Sequence, residues 1–237
     1  MKEKDVVSIL KEQGWTCSKD EVGDYFCVTD VGGAQLQVIP SVGKRSDHFR
    51  VSLMPSISSK EFSEAASFIM GNDGSNAPII VSNEAPEKLS SFSGDDVIRL
   101  SEKALSWARS QSIDEGLSAY RVLPTDAKGA MPVRHLAALA LAGDTVRLDE
   151  YKQSFGNGDR LGFVPYITSD MIDRALMIAK KINRGNSGLT LRDSRFFLQK
   201  IKKLELLKKP ASVGNLVCTT QKQGNRGQTT FELFRVQ

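Results

Sequence analysis

Histidine and cysteine are scarce, and long apolar runs are missing. The 237-residue chain has two histidines, His48 and His135, and three cysteines, Cys17, Cys27 and Cys218, with no C-x-x-C pair. A zinc or similar centre needs several such ligands at close spacing, so no metal site is expected. Three cysteines are also too few and oddly numbered for a disulfide framework. Cys17 and Cys27 could meet across two paired strands, but the expected reading is small buried apolar residues in a reducing cytoplasm. The longest nearly apolar run is "HLAALALAG" at 135–143, far short of the roughly 20 residues that span a bilayer. The first residues, "MKEKDVVSILKEQGW", are charged and amphipathic and carry no signal-peptide core. A cytoplasmic chain with no membrane partner is expected.

Catalytic signatures are missing as well. No serine sits in G-x-S-x-G, and neither histidine has a triad-like neighbourhood. "GNGDRLG" at 156–162 is glycine-rich, but it lacks the Lys-Ser/Thr of a phosphate loop and follows a helix instead of a strand. It reads as a turn that lets Phe163 and Tyr166 dock on the core. "GNDGSN" at 71–76 offers oxygens without the distal glutamate of a calcium loop, and reads as a helix terminus plus turn. The adjacent pairs Asp95-Asp96 and Asp149-Glu150 suit helix first turns better than paired acid and base. The expectation is a non-catalytic protein without a cofactor.

What is present is an ordinary globular composition, 40% hydrophobic and 25% charged. Val6, Val7, Ile9 and Leu10 mark one face of a helix over 4–14. Strand candidates follow at 25–30, 34–40 and 48–55, the last two with clean alternation (Leu36 and Val38; Phe49, Val51 and Leu53). A Ser-capped helix over 58–71 buries Phe62, Ala65, Ala66 and Ile69, and "APIIVS" at 77–82 is a short buried strand. "EAPEKLSSFSG" breaks the pattern before one long helix from about 95 to 120, with Val97, Leu100, Ala104 and Trp107 toward the core. The fold class is therefore α+β, an antiparallel sheet packed by helices, followed by a helical region and a C-terminal helix plus β-hairpin. Domain divisions are expected at 1–122, 123–184 and 185–237, the last two readable as one continuous domain. "LPTDAKGAMP" at 123–132 supplies the first boundary.

Charge is distributed unevenly. Residues 172–237 hold 14 Lys+Arg and 4 Asp+Glu, a net of +10, whereas residues 1–171 hold 18 and 24, a net of −6. Such asymmetry points to a nucleic-acid or acidic-partner surface. In helical projection, "RDSRFFLQKIKKLELLKK" at 192–209 puts Phe197, Leu198, Ile201 and Leu204 on one side and Arg192, Arg195, Lys202 and Lys203 on the other. A hairpin candidate at 215–236 follows, tipped by Lys222 and Arg226. Basic helix and basic-tipped hairpin over 169–236 resemble the recognition helix and wing of winged-helix DNA-binding domains. Too little chain lies between 182 and 192 for that family's full second helix. These six basic residues are the candidates for phosphate or acidic-partner contacts.

The segment 135–179, with its texture "AALALAGD", "LDEY", "GDRLGF" and "RA", resembles bacterial immunity proteins that neutralise polymorphic or contact-dependent toxins. The resemblance implies a small cytoplasmic protein that binds a toxin domain through charge-complementary surfaces. Acidic candidates for that contact are Glu84, Glu87, Asp95 and Asp96, and Asp144, Asp149 and Glu150. The alternation of helices and strands over the first 110 residues also resembles secretion chaperones, which ranks third behind toxin immunity and nucleic-acid binding.

Overall fold

The computed structural model describes residues 1–72 and 76–185. The C-terminal helix and hairpin expected from the sequence lie outside the described residues. Among these, seven helices and two antiparallel sheets confirm an α+β fold.

Helix α1 (Glu3–Glu12) leads into β1 (Thr16–Lys19), β2 (Tyr25–Val31), β3 (Ala34–Val38), β4 (Ser41–Lys44), β5 (Phe49–Ser52) and β6 (Ser56–Ser58). The order β1-β2-β3-β6 is completed by β7 (Ile80–Val81), while β4, β5 and β8 (Glu87–Leu89) form a smaller sheet. The two sheets share one long bent hairpin. Its arms pass from one sheet to the other at Pro40 and Pro55, and Ile39 N–H donates to Leu53 O at 2.7 Å across the bend. Proline cannot donate to a ladder, which is why each regular strand is interrupted there. Met54, at φ 41°, takes up the remaining turn.

Period-two alternation sets the inward rows. Cys17 pairs with Cys27 and Cys27 with Val38, while Leu36 pairs with Ile57 and Ile57 with Ile80. Cys27, Leu36, Val38 and Ile57 are fully or almost fully buried and meet Val6, Val7 and Leu10 of α1. The same core takes Val97, Leu100 and Ala104 of α3 (Gly94–Arg109).

A second core is helical. It joins α2 (Lys60–Met70), α4 (Ile113–Arg121), α5 (Met131–Leu141), α6 (Thr145–Gly156) and α7 (Ser169–Gly185). Helix α2 starts at Ser59, whose hydroxyl accepts from Phe62 N–H at 3.1 Å, and ends at Gly71 in the left-handed region. Phe62 stacks on Tyr120 with centroids 5.7 Å apart. Thus α2 and α4, both N-terminal to residue 123, pack with α5–α7. Ile80 and Ile113 touch both cores and join them.

The single long helix expected over 95–120 is instead two. Ser110 ends α3, and Ser112 caps α4 by accepting from Glu115 N–H at 3.2 Å. A serine competes for backbone hydrogen bonds and so can restart a helix without glycine or proline. The segment that broke the pattern, around Glu87, is β8. It exists by pairing with β5, through Phe49 with Leu89 and Val51 with Glu87. Among the described residues, no helix is long and apolar enough to cross a membrane.

Candidate interaction surface

Between the small sheet and α3 lies a shallow groove. Val51 and Leu53 of the bent hairpin, Ala85 ahead of β8, and Leu100, Ala104 and Trp107 of α3 make its apolar lining. Its volume is about 30 Å³ and it opens to solvent along one side.

The rim is charged. Lys103 Nζ lies 2.6 Å from Glu84 Oε2 and 3.2 Å from Glu87 Oε1, while Arg99 Nη2 lies 2.8 Å from Glu87 Oε2 and 3.6 Å from Asp96 Oδ1. Helix periodicity puts Asp96, Arg99 and Lys103 on one face of α3, and β8 carries Glu87 beneath them. The hydrogen bond from Arg99 holds the Glu87 carboxyl below the ordinary glutamate range. The same bond raises Arg99, and Glu84 chiefly raises Lys103. Asp96 is lowered first by the backbone N–H of Ser93, whose amide and hydroxyl both donate to Oδ2 at 2.9 Å. Asp95 beside it is exposed. Three carboxylates against two cations leave this ion-pair network with an excess of one negative charge. Exposed ion pairs of this kind contribute little stability, roughly 0–1 kcal/mol each.

Of the seven acidic candidates, Glu84, Glu87 and Asp96 are thus brought together through Arg99 and Lys103, while Asp95 is exposed beside Asp96. Asp144, Asp149 and Glu150 belong to α6 in the helical core. Asp144 caps that helix by accepting from Arg147 N–H at 3.1 Å. Asp149 lies 3.5 Å from Lys180, and Glu150 faces solvent. The basic candidates Arg192, Arg195, Lys202, Lys203, Lys222 and Arg226 lie outside the described residues. Sequence reasoning missed Arg99 and Lys103. The i, i+3 spacing of Asp96 and Arg99 was a readable signal, but the pairing with Glu87 depends on a strand invisible in isolation.

His135 is fully buried and structural. Its Nδ1 is 2.8 Å from Tyr120 O and its Nε2 is 3.0 Å from the Tyr151 hydroxyl. A carbonyl only accepts, so Nδ1 carries the proton and Nε2 accepts from Tyr151. Burial lowers the His135 pKa and raises that of Tyr151. His48 stands 2.7 Å from Asp47 at an exposed turn. No group of three or more His, Cys, Asp or Glu able to hold a metal occurs among the described residues. The glycine-rich turn folds around Arg160, whose Nη2 donates to the carbonyls of Val164, Pro165 and Ile167 at 2.7–3.2 Å. Phe163 is buried by that turn; Tyr166 is partly exposed and its hydroxyl donates to Gly129 O at 2.6 Å.

Fold and surface together define an α+β protein with a shallow, charge-rimmed groove. The chain belongs to DUF6990, a family of unknown function whose model matches residues 2–180. No curated protein and no solved structure matches the chain.

Proposed function

We propose that the chain is a non-catalytic cytoplasmic protein of bacterial toxin-immunity type, which neutralises a toxin domain by direct binding through the groove between the small sheet and α3. The observation that carries this reading is the groove itself. Its floor of Val51, Leu53, Leu100 and Ala104 is almost fully buried, so a partner laid over it would meet chiefly Trp107, Ala85 and the charged rim. Trp107 is a residue type that often dominates binding energy. The negative excess of Glu84, Glu87, Asp95 and Asp96 favours a basic partner surface, and would speed its approach.

The test is co-expression with a panel of basic bacterial toxin domains, followed by titration calorimetry on any pair that protects growth. Protection of growth is expected, with Trp107→Ala weakening binding by about 30-fold or more. Glu84→Lys with Asp95→Lys should slow association most at low salt. A pair that fails to associate at micromolar concentration overturns the reading.

A second reading, nucleic-acid binding by the basic segment, is favoured by the +10 net charge of residues 172–237. Nearly all of that segment lies beyond the family match, which ends at residue 180.

A further inference from the structure

Cys17 and Cys27 are not two free buried thiols: they form a disulfide between directly opposed residues of β1 and β2, with Cα atoms 4.0 Å apart. The bond is not needed to bring these strands together. They are consecutive, and the turn between them is held by Asp20, whose Oδ1 accepts from Val22 N–H at 3.0 Å and Asp24 N–H at 2.9 Å. Four register pairs align the hairpin from Thr16–Val28 to Lys19–Tyr25. The chain also has two well-packed cores, unlike small scaffolds that depend on disulfides.

The two cysteines differ in exposure. Cys27 is 0% exposed and points into the core with Val38 and Val6. Cys17 is partly exposed and sits on the outermost strand of its sheet, where Thr16, Ser18 and Lys19 are exposed. Its sulfur lies 4.0 Å from Val7 O of α1. Trp15, immediately before it, is buried and donates its N–H to Leu10 O at 3.0 Å. The bond therefore ties the α1–Trp15–β1 corner to the centre of the sheet. Accessible disulfides on such edges are the ones small thiols exchange with.

We propose that Cys17–Cys27 is a reversible redox site for low-molecular-weight thiols, with Cys17 the attacked sulfur and Cys27 the resolving one, and that its reduction loosens β1 and the Trp15 anchor. In reduction, a glutathione thiolate attacks Cys17 Sγ, forming a mixed disulfide and expelling Cys27 as thiolate, which takes up a proton. A second glutathione then releases Cys17 as thiol and leaves as glutathione disulfide. Two electrons pass from the two glutathiones to the protein disulfide. Oxidation runs the same steps backward.

The experiment uses the full chain carrying Cys218→Ser, equilibrated in glutathione buffers spanning about four decades of [GSH]²/[GSSG], then acid-quenched and alkylated for mass spectrometry. A two-electron transition inside that range is expected. Reduction should accelerate hydrogen exchange at Thr16–Lys19 by roughly tenfold while leaving α5–α7 unchanged. Trp15 emission should shift in a Trp107→Phe background. With Cys27→Ser, one glutathione should accumulate on Cys17; with Cys17→Ser, folded Cys27 should stay unmodified. A bond that persists in the most reducing buffer, or never forms in the most oxidising one, overturns the proposal. So does identical exchange of β1 in both states. The titration uses the native pair, so it stands even where a serine variant misfolds.

Discussion

His135 couples three helices through one ring. The backbone of α4 accepts from Nδ1, the ring belongs to α5, and Tyr151 of α6 donates to Nε2. A protonated imidazole would place a second N–H where that hydroxyl now donates, and burial already disfavours the charge. The folded-state pKa is therefore below the unfolded value near 6.5. Between these two values the unfolded chain binds the extra proton, so stability falls as pH drops below about 6.5. The lowered carboxylates act in a separate window. Glu87, pulled down by Arg99, contributes fully above its ordinary value of 4.5 and loses its contribution only in more acid solution. Urea unfolding at about pH 8, 6.5 and 5.5 should show a step for the native chain that His135→Phe abolishes. At pH 8 that substitution should cost about 1–3 kcal/mol, because the Tyr151 hydroxyl loses its acceptor and Tyr120 O keeps only the Leu123 N–H. An unchanged step in the variant would assign the pH dependence elsewhere. Neither partner was readable from the sequence, where His135 showed only as a histidine at the start of an apolar helix.

Elements with strong periodicity or a cap were legible, and those created by a partner were not. Strands β2 and β3 announced themselves by alternation, and α2 by Ser59 and Gly71. Strands β4 and β8 are short, polar and beside proline or serine, and they are strands because β5 lies between them. Cys17 and Cys27 could be seen as a cross-strand opportunity, but cysteine number argued for free thiols, and number says nothing about register. Of the candidate site, Glu84, Glu87 and Asp96 are joined through Arg99 and Lys103, cations that the sequence did not single out. The groove they rim needed β8 to be recognised. The contact of α4 with β7 was equally hidden. At Gly116 an added Cβ would lie 2.5 Å from Ile79 Cγ2 and 2.9 Å from Ile80 Cγ1. Glycine here costs helix propensity of about 1 kcal/mol relative to alanine. It is tolerated because it lets α4 approach the strand. Gly116→Ala should therefore destabilise by about 1–2 kcal/mol net, the overpacking exceeding the propensity gain, as read by urea midpoint. Pairing it with Ile79→Val should recover part of the loss. Greater stability in the single variant would show that Ile79 and Ile80 move aside freely.

The charge asymmetry concerns the molecule as a whole and does not depend on the packing of residues 1–185. That part of the chain has a net charge of −3, from 22 Lys+Arg and 25 Asp+Glu, and the remaining 52 residues carry +7, from 10 and 3. The acidic part holds the groove with its negative rim, and the basic part lies beyond the family match. Two binding chemistries can thus coexist in one chain, and ionic strength separates them from apolar docking. If Arg192, Arg195, Lys202 and Lys203 each neutralise a phosphate, affinity for duplex DNA should fall with salt at a log–log slope of about −3 to −4. Reversing all four to glutamate should remove that binding and leave the unfolding midpoint of the 1–185 cores in place. Binding through Trp107 and the groove should survive the same reversal, because its floor is apolar and its rim belongs to other residues. Titrating duplex DNA and single-stranded RNA into native and reversed chains between about 50 and 200 mM salt reads both outcomes. A native chain that binds neither nucleic acid even at the lowest salt rules out the phosphate contacts. The basic segment is then assigned to an acidic protein surface, whose binding would show a similar salt dependence but no competition by DNA.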